Sequence, residues 1–455
     1  MRISNKALRG VSFGATAMLA LGAATEAGAR SVTLTLVSGL SNGGPVADGV
    51  AVPGAPDAVL LLELRGGAIS LVDRATGSST PFLAPIGFEG APLSSQAWAA
   101  AYSLALAPDF ATSGLFYVSF STGDRRNVLV EYRADPGAMT VDPATQRQVL
   151  SIDPWVAPSA GAHMGGAISF GPDGHLYMTT GDNDGPFGAG SGNPGQDVTS
   201  RLGKVLRIDP TGGDAFPDDP ANNYAIPPGN PDLGPGADPA IFALGLRNPF
   251  KGKWDAAGEM FLVADVGEDA WEEVNRLSPG ANYGWDAAEG PDAAGGEASL
   301  AGEPMLPVHA YSHAAGPFGG ISVTGGLIAS GGPAALDGLY LFTDYGVAAK
   351  AMNAPFWTLD PGDFGAGALA WDVTTSGGAL TRPIGYAQDA GGRIYLFDQD
   401  GEVWEVVSAA VPAPAAGLLL AAGVGVLASR GWRRRQATSP KITPASTAPT
   451  SPKPT

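Results

Sequence analysis

The residues best suited to chemistry in this chain gather around one histidine. His163 sits in Gly161-Ala-His-Met-Gly-Gly, directly before the run Ala167-Ile-Ser-Phe and the turn Gly171-Pro-Asp-Gly. Glycines on both sides let the backbone approach a ligand closely. Histidine suits general acid–base work near neutrality, so His163 reads as a candidate base; a loop histidine with no role is the other reading. His175 lies inside a strand phrase and reads as structural. His309 and His313 have the i, i+4 spacing of a metal pair, but only on a helix, and Pro307 and Gly316 argue against one. They read as loop residues ahead of a glycine-rich strand, Gly316 to Ile328. The absence of cysteine excludes thiolate metal sites, disulfides, iron–sulfur clusters and cysteine nucleophiles.

The scaffold that must position these residues is rich in turns. Of 455 residues, 66 are Gly and 39 are Pro, and only 15% are charged. Such punctuation favours many short strands over long helices, while a hydrophobic content of 44% is too high for wholesale disorder. A phrase recurs: a Gly/Asp/Pro turn, an apolar alternating strand, then often another Asp or Gly. It begins at Gly54, Pro108, Gly171, Asp255, Ala335 and Asp389, as in Gly171-Pro-Asp-Gly-His-Leu-Tyr-Met-Thr-Thr-Gly-Asp. The turn residues permit tight reversal, and the strands carry aromatic and β-branched residues at period two. Six copies at roughly 60 residues each fit four strands plus long loops. The expected fold is all-β, a six-bladed β-propeller over 30–408, with the strand Ser31 to Ser38 completing the last blade beside Glu402 to Val407. Two long non-strand stretches, Asp182 to Arg201 and Thr211 to Pro239, are expected to cover one mouth of the channel.

The ends read as addresses. Residues 1–29 have a basic start (Arg2, Lys6, Arg9), an apolar run and an Ala27-Gly28-Ala29 cleavage site, the pattern of a secretory signal. Within 411–435, Val411-Pro-Ala-Pro leads into an apolar run and then Arg433-Arg434-Arg435. This resembles the PEP-CTERM sorting signal in its V-P-x-P variant, which bacterial exosortases recognise and process; a plain membrane anchor is the alternative. Residues 436–455 form a Ser/Thr/Pro/Lys tail without the means to build a core. The implied location is exported, at the cell surface or extracellular matrix, with transient membrane association. Between the ends, 43 acids against 17 bases leave −26 of the overall −18. That disfavours nucleic acid as a partner.

Beyond His163 the motifs follow in one order. Gly181-Asp is followed by Gly195-Gln-Asp, Leu202-Gly-Lys-Val-Leu-Arg-Ile-Asp and Ala243-Leu-Gly-Leu-Arg-Asn-Pro-Phe. Asp265-Val-Gly-Glu-Asp-Ala-Trp-Glu-Glu-Val-Asn and Gly280-Ala-Asn-Tyr-Gly-Trp complete the series. The set resembles the soluble glucose/sorbosone dehydrogenase family, particularly its hedgehog-interacting-protein-like branch, over about 32–407. The resemblance implies a six-bladed propeller with pyrroloquinoline quinone (PQQ) and calcium (Ca2+) at the channel mouth. It implies that His163 removes a sugar hydroxyl proton while hydride passes to the quinone. It implies that Arg247 stabilises negative charge on the quinone oxygens and that Asn248 touches the cofactor. Asp265, Val266 and Gly267 match the segment whose carbonyls hold the cofactor's calcium, with Asp265 and Glu268 as additional ligands. Glu273 and the Tyr283 carbonyl match a structural calcium region. Read without the resemblance, Arg247 is a structural arginine paired with an interior acid, and Asp265, Glu268 and Asp269 are a solvated acidic turn.

The sequence also departs from the family pattern. Met164 stands where a polar amide is usual. Phe342-Thr-Asp-Tyr-Gly lacks the lysine, and Pro383-Ile-Gly-Tyr-Ala-Gln the arginines, that bind the cofactor's carboxylates; Arg382 is the nearby cation. Three functions follow as expectations: a PQQ-dependent aldose dehydrogenase acting on a sugar, a non-catalytic calcium-stabilised propeller binding glycan or protein, and a metal-dependent lactonase.

Overall fold

The computed structural model describes residues 30–37, 44–95, 99–154, 163–183, 194–293, 304–314, 319–345 and 353–411. The expected signal at 1–29, the tail at 436–455 and all but the first residue of 411–435 lie outside the described residues. Among the described residues the one α-helix is the four-residue turn Phe110–Ser113, and no helix is long and apolar enough to cross a membrane.

The chain is all-β in a propeller-like arrangement. The first sheet comprises Val46–Val52, Ala55–Glu63, Ile69–Asp73 and Ser78–Leu83. The second is built on Ala100–Leu106, Leu115–Ser121 and Asn127–Asp135, with Thr140–Val141 and Arg147–Ile152 both on the last. The third runs Gly165–Phe170, Leu176–Thr180, Lys204–Ile208, Ile241–Leu244, and the fourth Pro249–Trp254, Phe261–Asp265, Trp271–Arg276, His309–Ser312. Apart from two short two-stranded pairs, Gly87–Phe88 with Ala91–Pro92 and Ala288–Glu289 with Asp292–Ala293, an eight-stranded sheet takes the rest. Its first half is Val323–Ile328, Tyr340–Asp344, Phe356–Leu359 and Leu369–Ser376; its second is Pro383–Gln388, Ile394–Asp398 and Val403–Ala410. Ser31–Leu36 joins the halves, antiparallel to Val403–Ala410 as expected and parallel to Leu369–Ser376.

The phrase-forming strands Leu176–Thr180, Phe261–Asp265, Tyr340–Asp344 and Ile394–Asp398 are buried along their whole length. They are covered on both faces, because each sheet packs against a neighbour on either side. Phe82 of the first sheet meets Phe116 of the second at 5.3 Å between ring centroids, and Tyr177 of the third meets Trp254 of the fourth at 5.2 Å. Such offset or edge contacts add to the area term of burial. The strands that open the sheets and each half of the eight-stranded sheet pack side by side in order, and Pro383–Gln388 returns to Val46–Val52.

The recurrent aspartate at the end of the phrase has a physical role. Asp265 Oδ1 and Oδ2 accept the backbone N–H groups of Asn248 (2.7 Å) and Arg247 (3.0 Å). Asp344 Oδ2 accepts Ser322 N, and Asp398 Oδ2 accepts Thr381 N and Arg382 N. In each case a carboxylate at the end of a second strand satisfies the donors of the segment entering that sheet's first strand. Asp398 is fully buried. Asp398→Ala is therefore expected to cost about 2 kcal/mol, the penalty for orphaned backbone donors, read as a lower urea midpoint at unchanged slope.

Register locates the long loops. Gly165 pairs with Thr180, Thr180 with Lys204 and Lys204 with Leu244 at one end of the third sheet. Ile208 lies at the opposite end, beside Leu176. The stretch Thr211 to Pro239 thus leaves from the end away from His163, and it does not cover the mouth that His163 borders. It lies instead along the second sheet's outer strand, where Ser151 N donates to Ala221 O and Asn223 N to Val149 O. His309 opens a strand rather than lying in a loop, pairing with Val274.

Candidate active site

The His163 end of the ring is assembled by close backbone approach. A Cβ on Gly181 would stand 2.0 Å from the His163 carbonyl oxygen, so only glycine lets the two segments meet there. Asn183 N then donates to His163 O at 3.2 Å. This places Asp182 beside the imidazole: His163 Nδ1 to Asp182 Oδ1 is 2.8 Å. Asp182 is 3% exposed, and its Oδ2 accepts Trp285 Nε1 at 2.8 Å. A carboxylate bonded to Nδ1 fixes the tautomer that leaves Nε2 as the acceptor. His163, with its side chain 17% exposed, thus has the arrangement of an oriented base.

Arg247 lies over the Trp285 ring, its guanidinium carbon 5.5 Å from the ring centre, and its carbonyl accepts Asp182 N at 2.8 Å. Nη1 donates to the Val266 carbonyl (3.0 Å) and Nη2 pairs with Glu268. Nε is buried without a partner among the described residues. Burial lowers the Arg247 pKa, opposed by Asp182 and Asp265. Asn248 turns its Oδ1 to Gly165 N (3.2 Å) and borders a cavity of about 320 Å³. Arg65, Tyr102, Phe250, Thr324, Tyr345 and Gln399 line the same space. His163 stands beyond Asn248 and is not itself in the lining. Arg382 lies at the rim, 5.9 Å from the centre of the Tyr345 ring.

The acids expected to hold metal are placed differently. Asp265 faces Glu273 across the antiparallel ladder, and both are buried. Burial, and then the Glu273 charge, raise the Asp265 pKa; burial pushes Glu273 to about 6. Asp265 is engaged by two backbone N–H groups, Glu268 by Arg247, and Glu273 by Asn275 Nδ2 at 2.8 Å. The Tyr283 hydroxyl donates to Arg276 O, and the Val266 carbonyl is taken by Arg247. Gly267 is held against Trp271 O, 1.7 Å from where a Cβ would stand. Among the described residues no group of three or more acidic or histidine side chains is placed to hold a metal. His313 is committed as well: its Nε2 lies 2.7 Å from Glu272 Oε1.

Structure thus brings together His163, Arg247, Asn248 and Val266 and adds Asp182, Trp285, Arg65 and Tyr102. Asp182 and Trp285 close two of the motifs noted in the sequence, so their presence was visible but their pairing was not. Arg65 carried a weaker signal: a cation at a strand end followed by Gly66-Gly67.

Lys204 braces this end from beneath. Its fully buried ammonium donates to the carbonyls of Pro194 (2.6 Å), Gly195 (2.9 Å) and Leu202 (2.7 Å). The held turn carries Gln196, which donates to Asn282 Oδ1 and to Trp285 O. Burial pushes Lys204 down from 10.5 to about 7, opposed by Asp197 and Asp182. The unfolded chain then binds this proton more tightly than the folded one. Between pH 7 and 10.5 the group makes stability rise with pH, and below 7 it adds no slope. Urea unfolding at pH 7 and 9 should show that rise in the native chain and a flatter response in Lys204→Met.

The comparisons agree with this architecture. The family model described as Glucose / Sorbosone dehydrogenase matches residues 49–330, and the chain belongs to that family. The HIPL1 protein of Arabidopsis thaliana is 31% identical over 371 residues, covering 67% of this chain and 52% of its own length. The chain therefore spans about half of that relative. The aldose sugar dehydrogenase YliI of Escherichia coli is 27% identical over 240 residues, 50% of this chain and 56% of YliI. The PQQ-bound aldose sugar dehydrogenase of Streptomyces coelicolor shares the fold, with a TM-score of 0.54 at 23% identity over 81% of this chain and 95% of that one.

Proposed function

We propose that this chain is a sugar dehydrogenase that oxidises an aldose hydroxyl with PQQ as hydride acceptor, on a propeller of six blades. The blade count takes the eight-stranded sheet as two blades joined through Ser31–Leu36. The observation that carries the reading is the oriented His163–Asp182–Trp285 relay at the same end as the 320 Å³ cavity.

The cavity's residues fit PQQ. Tyr102, Phe250 and Tyr345 offer ring faces to a planar molecule, and Asn248, Thr324 and Gln399 offer polar groups. Arg65 in the lining and Arg382 at the rim supply charge for its carboxylates. Arg247 is not in the lining; it stands behind it, bonded to the Val266 carbonyl that borders the cavity. When bound, PQQ supplies the hydride-accepting carbons. His163 Nε2 takes the hydroxyl proton, and Asp182 stabilises the imidazolium that results. The acidic side chains do not fit a calcium cage, so no step is routed through calcium. Export and exosortase processing of the C-terminus belong to the same proposal, tested by cell fractionation and the mass of the mature protein.

The test is spectral titration of the purified chain with PQQ, then dye reduction with a panel of aldoses. Arg65→Ala should weaken PQQ binding about tenfold, the loss of one charge-assisted contact. No spectral change on adding PQQ overturns the reading. The alternative, a non-catalytic propeller binding glycan or protein at the surface, is left open by the kinship with HIPL1. It predicts glycan binding that persists in His163→Ala.

A further inference from the structure

Strands that open a sheet or half-sheet share a local irregularity. Near its start each of four such strands carries a residue with no opposite number in the adjoining strand: Ala47, Tyr102, Phe250 and Ile384. A bulge takes its extra residue out of the ladder and re-aims the side chain. Tyr102, Phe250 and Ile384 accordingly line the 320 Å³ cavity. The cavity wall is built in part from bulged residues, and their carbonyls need donors from outside the ladder.

Lys251 meets that need. Its ammonium donates to Ala47 O (2.8 Å) and Tyr102 O (2.9 Å) and lies 5.1 Å from the centre of the Phe250 ring. It thus touches three of the four inserted residues without itself entering the lining. The side chain is buried, and among the described residues the ammonium has no carboxylate partner. Burial lowers its pKa; the charges acting on it, Asp48 and Lys253, oppose one another. Asp48 is bonded instead to Gly49 N, Ser103 Oγ and Leu104 N. Holding two carbonyls requires a donor but no charge, and burying a cation without an ion-pair partner is costly. An anionic ligand beyond Tyr102 and Phe250 would offset that cost.

We propose that Lys251 is the cation behind the cavity wall, supplying through Tyr102 and Phe250 the positive charge that selects a planar polyanion as ligand. It stands in for the cations that Phe342-Thr-Asp-Tyr-Gly and Pro383-Ile-Gly-Tyr-Ala-Gln lack. Lys251 is a positioning residue: it holds the bulges that present the two rings and sets the field in front of them. The proposal rests on the reading of this cavity as a PQQ site.

The test is spectral titration of the full chain and of Lys251→Met with PQQ and with its trimethyl ester, which keeps the ring system without the carboxylate charges. Lys251→Met should weaken PQQ binding about tenfold, the scale of one partly screened charge, and ester binding by less than about twofold. A residue that only held the bulges would weaken both ligands alike. Should that variant fail to fold, Lys251→Gln, which offers the two carbonyls N–H donors without the charge, makes the same comparison. Equal loss for the two ligands, or no loss for PQQ, overturns the proposal and leaves the dehydrogenase reading in place. Failure of the native chain to bind PQQ overturns that reading, and this proposal with it.

Discussion

His163→Ala is expected to lower PQQ-linked aldose oxidation by about 10²–10⁴-fold, the range for loss of a positioned general base. Its side chain is partly exposed and its main polar contact is Asp182, so the unfolding midpoint should move little. PQQ affinity should also hold, because His163 lies outside the cavity lining. That separates the loss of a base from the loss of a pocket. Asp182→Asn is the sharper companion. The amide can donate toward Nδ1, favouring the tautomer that puts the proton on Nε2, and a comparable fall in rate is expected with the substrate KM little changed. Trp285→Phe removes one hydrogen bond to Asp182 and should cost less. If all three variants turn over normally, the relay is not catalytic. Stopped assays under saturating PQQ, with Tm measured on the same preparations, make the comparison.

The repeat that organises the fold was legible because its causes are local. The turn at Gly171-Pro-Asp-Gly reverses the chain with Gly174 at φ 78° and a hydrogen bond from Gly174 N to Gly171 O. The strand that follows is buried at every residue rather than on one face, and the acid that ends the phrase recurs at Asp265, Asp344 and Asp398 because each opening segment needs an acceptor. The bond from Trp285 to Asp182 was not legible, since it joins segments 103 residues apart; His163 and Asp182 are 19 residues apart and meet only through the register that pairs Gly165 with Thr180. The misplacement of Thr211 to Pro239 has a simple origin. In a four-stranded antiparallel sheet the second-to-third and third-to-fourth connections leave at opposite ends. Asp182 to Arg201 makes the first of these and Thr211 to Pro239 the second, so they cannot share a mouth.

Net charge says little about the field at the site. The body between the two ends carries −26. Yet Asp265, Glu272, Asp344 and Asp398 are fully or almost fully buried, and each accepts at least one backbone N–H. Such acids complete the scaffold's hydrogen bonding and are no guide to the field at the mouth. There the cavity gathers Arg65 and Arg382, with Asn248 beside them. Local placement, rather than the total, decides whether a trianion can be held.

Gly181→Ala should show how tightly the base is coupled to the fold. The residue needs glycine for space: the added Cβ would lie 2.0 Å from His163 O and 2.4 Å from its carbonyl carbon. Ordinary contact requires the two segments to separate by more than 1 Å. The neighbouring bonds run through this point, Asn183 N to His163 O and Gly203 N to Gly181 O at 2.9 Å. Moving either segment pulls Asp182 from the imidazole. A displacement of about 1 Å costs on the order of 10²-fold in rate even where every side chain remains. The variant should therefore approach the activity of His163→Ala while still carrying His163. It should also lose about 1–3 kcal/mol of stability, the cost of forcing a methyl group into a packed backbone contact. The two effects share one cause, so a second-site change that reopens the space should restore both together. Recovery of stability without activity would mean that the Gly181 contact positions only the scaffold.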